Sequence, residues 1–115
     1  MKLAEIAFFT DHVSPMTDFY GRLLGSEPVA RSETMAIFFT NETKLFIHYK
    51  YAPKEGELPP EDHHAFIVED VDMICEQLIA QGLTLEIPPR EFYWGRSAYL
   101  RDPDGHQIEI TQLEK

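Results

Sequence analysis

The chain has 115 residues, 43% of them hydrophobic and 12% aromatic, which is enough apolar side chain for one packed domain and excludes a disordered segment. Its formal net charge of −10 repels nucleic acid and anionic membrane surfaces, and no apolar run approaches the ~18 residues of a membrane span. Met1-Lys2-Leu3-Ala4-Glu5 puts an acid where a signal peptide requires an apolar stretch, and Cys75 is the single cysteine, so a cytoplasmic protein with a buried core thiol is expected.

Residues Leu3 to Thr10 read as a strand. Ser14-Pro15 then predicts a helix start, serine as N-cap and proline at the first helical position. Phe19, Tyr20, Leu23 and Leu24 form its apolar stripe, and Gly25 stops it. Extended runs follow at Glu27–Arg31, Thr34–Thr40 and Thr43–Lys50, the last two joined by a turn at Asn41-Glu42. Ala52–Asp62, with three prolines and a glycine, reads as a linker.

The order then repeats. His63–Glu69 reads as a strand, Asp72 as the cap of a helix that buries Met73, Leu78 and Ile79, and Gly82 as its end. Strands are predicted at Leu83–Ile87, Arg96–Arg101 and His106–Gln112, with Asp102-Pro103-Asp104-Gly105 as a tight turn. Arg90–Gly95, holding Phe92, Tyr93 and Trp94, reads as an aromatic loop. The expected fold is therefore α+β, made of two βαβββ modules, residues 1–51 and 63–115 with a linker at 52–62. Neither module can cover both faces of its sheet alone, so two must form a curved mixed sheet around a cleft.

Three segments carry a family resemblance. Asp18-Phe19-Tyr20-Gly21-Arg22-Leu23-Leu24-Gly25 resembles the first helix of vicinal oxygen chelate domains, the glyoxalase, bleomycin-resistance and extradiol dioxygenase superfamily. Gly95 to Ile110, with its central Asp102-Pro103-Asp104-Gly105, resembles the closing hairpin of that family, and His63–Asp72 the opening of its second module. The resemblance implies a divalent cation gripping two adjacent substrate oxygens as a Lewis acid, or, in metal-free members, a cleft that only binds a ligand. Its four ligand positions map onto Glu5, Phe46, His63 and Glu109, of which Phe46 cannot ligate.

Strand alternation puts Glu5 with Ala7, His63 with Ala65, and Glu109 opposite Ile108 and Ile110, so all three are expected away from the helix-packed face. Two carboxylates and a neutral imidazole balance a divalent charge, and such nitrogen and oxygen donors suit zinc, manganese, iron or nickel alike. His48 shares a face with Phe46 and is a candidate base or substrate contact, with Glu109 as a second group able to move a proton. Phe46, Phe92 and Trp94 are candidate substrate walls, and Arg96 a candidate partner for an anionic substrate group or for a surface acid. There is no phosphate-binding glycine loop, nucleophile elbow or zinc-finger cysteine pair.

Two functions stay open on this reading. One is a glyoxalase-like metal-dependent lyase or isomerase, with dioxygenase or fosfomycin-type thiol transferase as lesser variants. The other is a metal-free, bleomycin-resistance-type protein that sequesters an aromatic or cationic small molecule. Both imply a small-molecule partner, no nucleic acid, no membrane, and a homodimer, swapped or unswapped.

Overall fold

The computed structural model describes residues 1–55 and 58–112. Gly56 and Glu57 of the expected linker, and residues 113–115 of the expected second module, lie outside the described residues. The chain divides into two units, Glu5–Asp62 and Met1–Ala4 with His63–Lys115.

The first unit is built from β1 (Lys2–Thr10, from Glu5 onward), α1 (Val13–Leu24), β2 (Ala30–Arg31), β3 (Met35–Thr40) and β4 (Thr43–Tyr49). Its strands lie in the order β2-β3-β4-β1, with β1 parallel to β4 and the other pairs antiparallel. Alternate residues of β3 and β4 face the helix: Ala36, Phe38 and Ile47 are buried with Val13, against Met16, Tyr20 and Leu24 of α1. The other face carries two registered rows, Glu5, Ala7 and Phe9 beside Lys44, Phe46 and His48.

The α1 helix starts earlier than its sequence suggests. His12, not Ser14, is the N-cap residue and makes no side-chain cap bond, because Val13 is drawn into the core as the first helical residue. Pro15 thereby becomes the third helical residue, where its missing N–H still costs no intrahelical bond. The end is as expected: Gly25 adopts φ 65° and sends its N–H to the Gly21 carbonyl.

The second unit repeats this plan with β5 (His63–Val68), α2 (Val71–Ala80), β6 (Leu85–Phe92), β7 (Gly95–Arg101) and β8 (Gln107–Gln112). Its order is β5-β8-β7-β6, and again the first and last strands of the unit pair in parallel. Val68, Val71, Cys75, Ala98, Leu100 and Ile110 form the core beneath α2, and burial pushes the Cys75 thiol pKa up. Here too the cap differs from expectation. Asp70 accepts the Met73 N–H at 3.1 Å, since the fully buried Val71 begins the helix, and Asp72 is left free to meet Arg96.

The expected aromatic loop at Arg90–Gly95 is mostly strand. The β6 strand continues through Pro88-Pro89 to Phe92, and only Tyr93 and Trp94 form the turn into β7. Two adjacent prolines argue against a central strand, but β6 lies at the edge of its unit's sheet, where a missing N–H is tolerated, and its register slips around them. The expected β2 shrinks from five residues to Ala30–Arg31, also an edge. No helix among the described residues is long and apolar enough to cross a membrane.

The turn before β8 is held by one carboxylate. Asp102 Oδ1 accepts the N–H of His106 at 2.8 Å and of Asp104 at 3.1 Å, its carbonyl accepts the Gly105 N–H, and His106 Nδ1 lies 2.9 Å from Oδ2. The His106 backbone N–H, with its imidazole, holds the Asp102 pKa below the ordinary aspartate range. A depressed carboxyl pKa stabilises the fold above the unfolded-state value and loses that contribution as pH falls through the folded value. Asp102→Asn is therefore expected to lower the urea midpoint at pH 7, with the gap to wild type closing below about pH 4. Ile47→Ala, which empties a fully buried site, is expected to cost about 2–5 kcal/mol in the same unfolding measurement.

Candidate active site

The helix-free face of the second unit brings its polar residues together. The β5–β8 register sets His63 opposite Gln107 and Ala65 opposite Glu109, while β7 sets Tyr99 opposite Glu109 and Ser97 opposite Thr111. His63 Nε2 lies 3.5 Å from Glu109 Oε1, with side-chain exposures of 14% and 9%. Glu109 Oε2 accepts the Ser97 hydroxyl at 2.9 Å and the Trp94 indole N–H at 3.1 Å. Thr111 Oγ1 stands 2.9 Å from Ser97 Oγ and completes the chain of hydroxyls. Burial by itself pushes the Glu109 pKa up. Hydrogen bonds from His63 and Ser97, the adjacent imidazole and the Tyr99 hydroxyl outweigh that and hold it below the ordinary glutamate range.

An aromatic wall rises beside this pair. Phe92 and Trp94 stack with centroids 4.6 Å apart and planes 8° apart, Phe92 meets Tyr99 edge-on at 5.7 Å, and the Arg90 guanidinium lies 4.4 Å from the Phe92 ring centre. Trp94, expected as a wall, thus also ties the hairpin tip to Glu109 through its N–H. Arg96 is held elsewhere: Nε and Nη2 grip both oxygens of Asp72 at 2.7 and 2.8 Å, and Nη1 reaches Glu91 at 3.3 Å. That fork holds the Asp72 pKa below its ordinary range.

The first unit holds Glu5, Phe46 and His48. Glu5 Oε2 is 3.1 Å from Lys44 Nζ, and the same ammonium lies 5.7 Å from the Phe46 ring centre. The His48 ring lies among Phe9, Phe46 and Tyr51, with centroids 5.5 to 5.7 Å away. Its Nδ1 is 2.8 Å from the Tyr49 carbonyl, which can only accept, so Nδ1 is the donor of that contact. The same unit has a shallow surface depression of about 590 Å³ between the end of α1 and Glu27–Arg31. Its Arg31 is bound to Asp18 at 2.8 Å, and none of the expected site residues lines it.

His63 and Glu109 thus meet, while Glu5 lies in the other unit with its own counter-ion. As a nitrogen and an oxygen donor side by side, His63 and Glu109 fit a borderline divalent cation as two of its ligands. Among the described residues no three His, Cys, Asp or Glu side chains form a cluster able to hold a metal. Sequence reasoning passed over Ser97, Tyr99 and Gln107. Counting in twos from Glu109 would have found Gln107, since alternate strand residues share a face.

Two units of one βαβββ plan define the class. The chain belongs to the Glyoxalase/Bleomycin resistance protein/Dioxygenase superfamily, whose family model matches residues 2–110. Solved structures agree on the fold. A structure described as NAD-dependent benzaldehyde dehydrogenase from Legionella pneumophila superposes with a TM-score of 0.72 at 24% identity, covering 96% of this chain and 98% of that one. A hypothetical protein from Bacillus halodurans gives 0.74 at 17% identity, covering 99% and 95%. Methylmalonyl-CoA epimerase from Mycobacterium tuberculosis gives 0.70 at 18%, covering 99% and 89%. Comparison with curated proteins finds no significant match.

The Ser97 contact gives a test of the pair. Ser97→Ala leaves the buried Glu109 carboxylate short of one donor and is expected to cost about 1–3 kcal/mol of stability at pH 7. The penalty should shrink as pH falls through the depressed Glu109 value, as read by unfolding curves at pH 7 and pH 3.

Proposed function

We propose that this chain is a metal-dependent glyoxalase-type enzyme that acts on a small substrate through two adjacent oxygens, as a lyase or isomerase. The observation that carries the reading is the His63–Glu109 contact, an imidazole and a carboxylate at 3.5 Å with little access to water. A divalent cation (zinc, manganese, iron or nickel) bound there would polarise the substrate oxygens. His63 and Glu109 would hold it; Glu5, the third donor assigned from the sequence, is paired with Lys44. Phe92 and Trp94 flank the substrate and exclude water, and Phe46 takes an apolar wall in place of a ligand. His48 accepts the substrate proton through Nε2, the ring nitrogen not used in the Tyr49 contact, or Glu109 does so. The two modules act as one domain, residues 1–115, in a cytoplasmic homodimer.

The metal-free binding protein is the second reading, favoured by one contact. Lys44 already neutralises Glu5 beside the aromatic group of Phe9, Phe46, His48 and Tyr51, a surface suited to a flat ligand without any ion.

Metal analysis separates the two. Protein purified without chelators is expected to carry a stoichiometric divalent ion. His63→Ala and Glu109→Gln should weaken its binding by more than the ~10–100-fold that loss of an outer-shell partner costs. Metal-free wild-type protein whose Trp94 fluorescence is still quenched by an aromatic cation would replace the enzyme with the binder.

A further inference from the structure

The second unit leaves one buried polar group without a partner. Gln107 is 2% exposed, and its Nε2 is the one buried side-chain nitrogen or oxygen among the described residues that makes no hydrogen bond. A buried amide N–H₂ without an acceptor is costly and is uncommon in folded proteins. Its neighbours give no remedy. Arg101, directly opposite on β7, is engaged by Glu86 and by the Gly105 carbonyl, and Ser97, Thr111, Trp94 and Glu109 satisfy one another.

The position of this amide is informative. Gln107 pairs directly with His63 across β5 and β8 and stands two residues before Glu109 on the same strand, so all three share the helix-free face. Its Cα lies roughly 6.6 Å along the strand from that of Glu109. The amide therefore flanks the His63–Glu109 pair on the His63 side, one residue pair along the strands from Glu109.

We infer that Gln107 is the recognition donor of this site, its amide reserved for a distal carbonyl or carboxylate oxygen of the ligand. The substrate class is then a short oxo acid or dicarboxylate, with its vicinal oxygens toward a cation at His63 and Glu109 and a further acceptor directed at Gln107. This rests on the preceding reading that His63 and Glu109 hold a divalent cation. An unmet donor in the free protein is the cost of selectivity, since a ligand lacking the distal oxygen leaves it unmet.

Gln107→Leu, close in volume and apolar, tests it on the full chain. Two probes are titrated calorimetrically in the presence of Zn²⁺: oxalate, which has oxygens at both ends, and acetohydroxamate, which has vicinal oxygens at one end and a methyl group at the other. The variant should bind oxalate roughly 3- to 10-fold more weakly than wild type and acetohydroxamate equally well. The metal-free variant should melt at the same temperature as metal-free wild type or a few degrees higher, because the orphaned donor is gone. Equal oxalate affinity in variant and wild type, or a variant that melts several degrees lower, overturns the role of Gln107 alone. A wild-type protein that binds neither probe overturns the cation site, and this inference with it.

Discussion

The parallel pairing of the first and last strand of each unit is the constraint on which everything else depends. It sets β1 against β4 and β5 against β8, and so lays residues from opposite ends of a unit side by side. His63 and Glu109 are 46 positions apart in the sequence, yet the register Ala65↔Glu109 brings their side chains within contact distance. The helix between the strands enforces the choice of face. Val71 and Cys75 hold α2 on one side of the second sheet, and the polar residues take the other. In the first unit Val13 performs the same office for α1.

A buried carboxylate survives in such a place only with several donors. Ser97, His63 and Tyr99, which the strand pairing fixes, and Trp94, from the turn before β7, provide them for Glu109. The site is therefore not a decoration on the sheet but a product of its register. A one-residue slip of β8 against β7 would turn Glu109 toward α2 and Ile110 away from it.

Much of this was legible in the chain. The apolar periodicity around Phe19–Leu24, the glycine stops and the Asp102–Gly105 turn marked the elements, and alternation alone put Ile108 and Ile110 opposite Glu109. Where the reading slipped, core packing overrode a local signal. Ser14 and Asp72 are good caps, but Val13 and Val71 are better anchors, and the helices begin where the apolar residue must be buried. Pro88 and Pro89 looked like the end of a strand because the sequence does not say which strand is outermost. The meeting of Glu109 with Trp94 depends on the sharpness of the Tyr93-Trp94 turn, which the flanking residues do not reveal.

Those two prolines have a further effect on how the molecule meets other chains. Of two successive prolines in a strand one faces outward, so the outer border of the second sheet lacks a backbone donor in the middle of β6 and is a poorer template for an added strand.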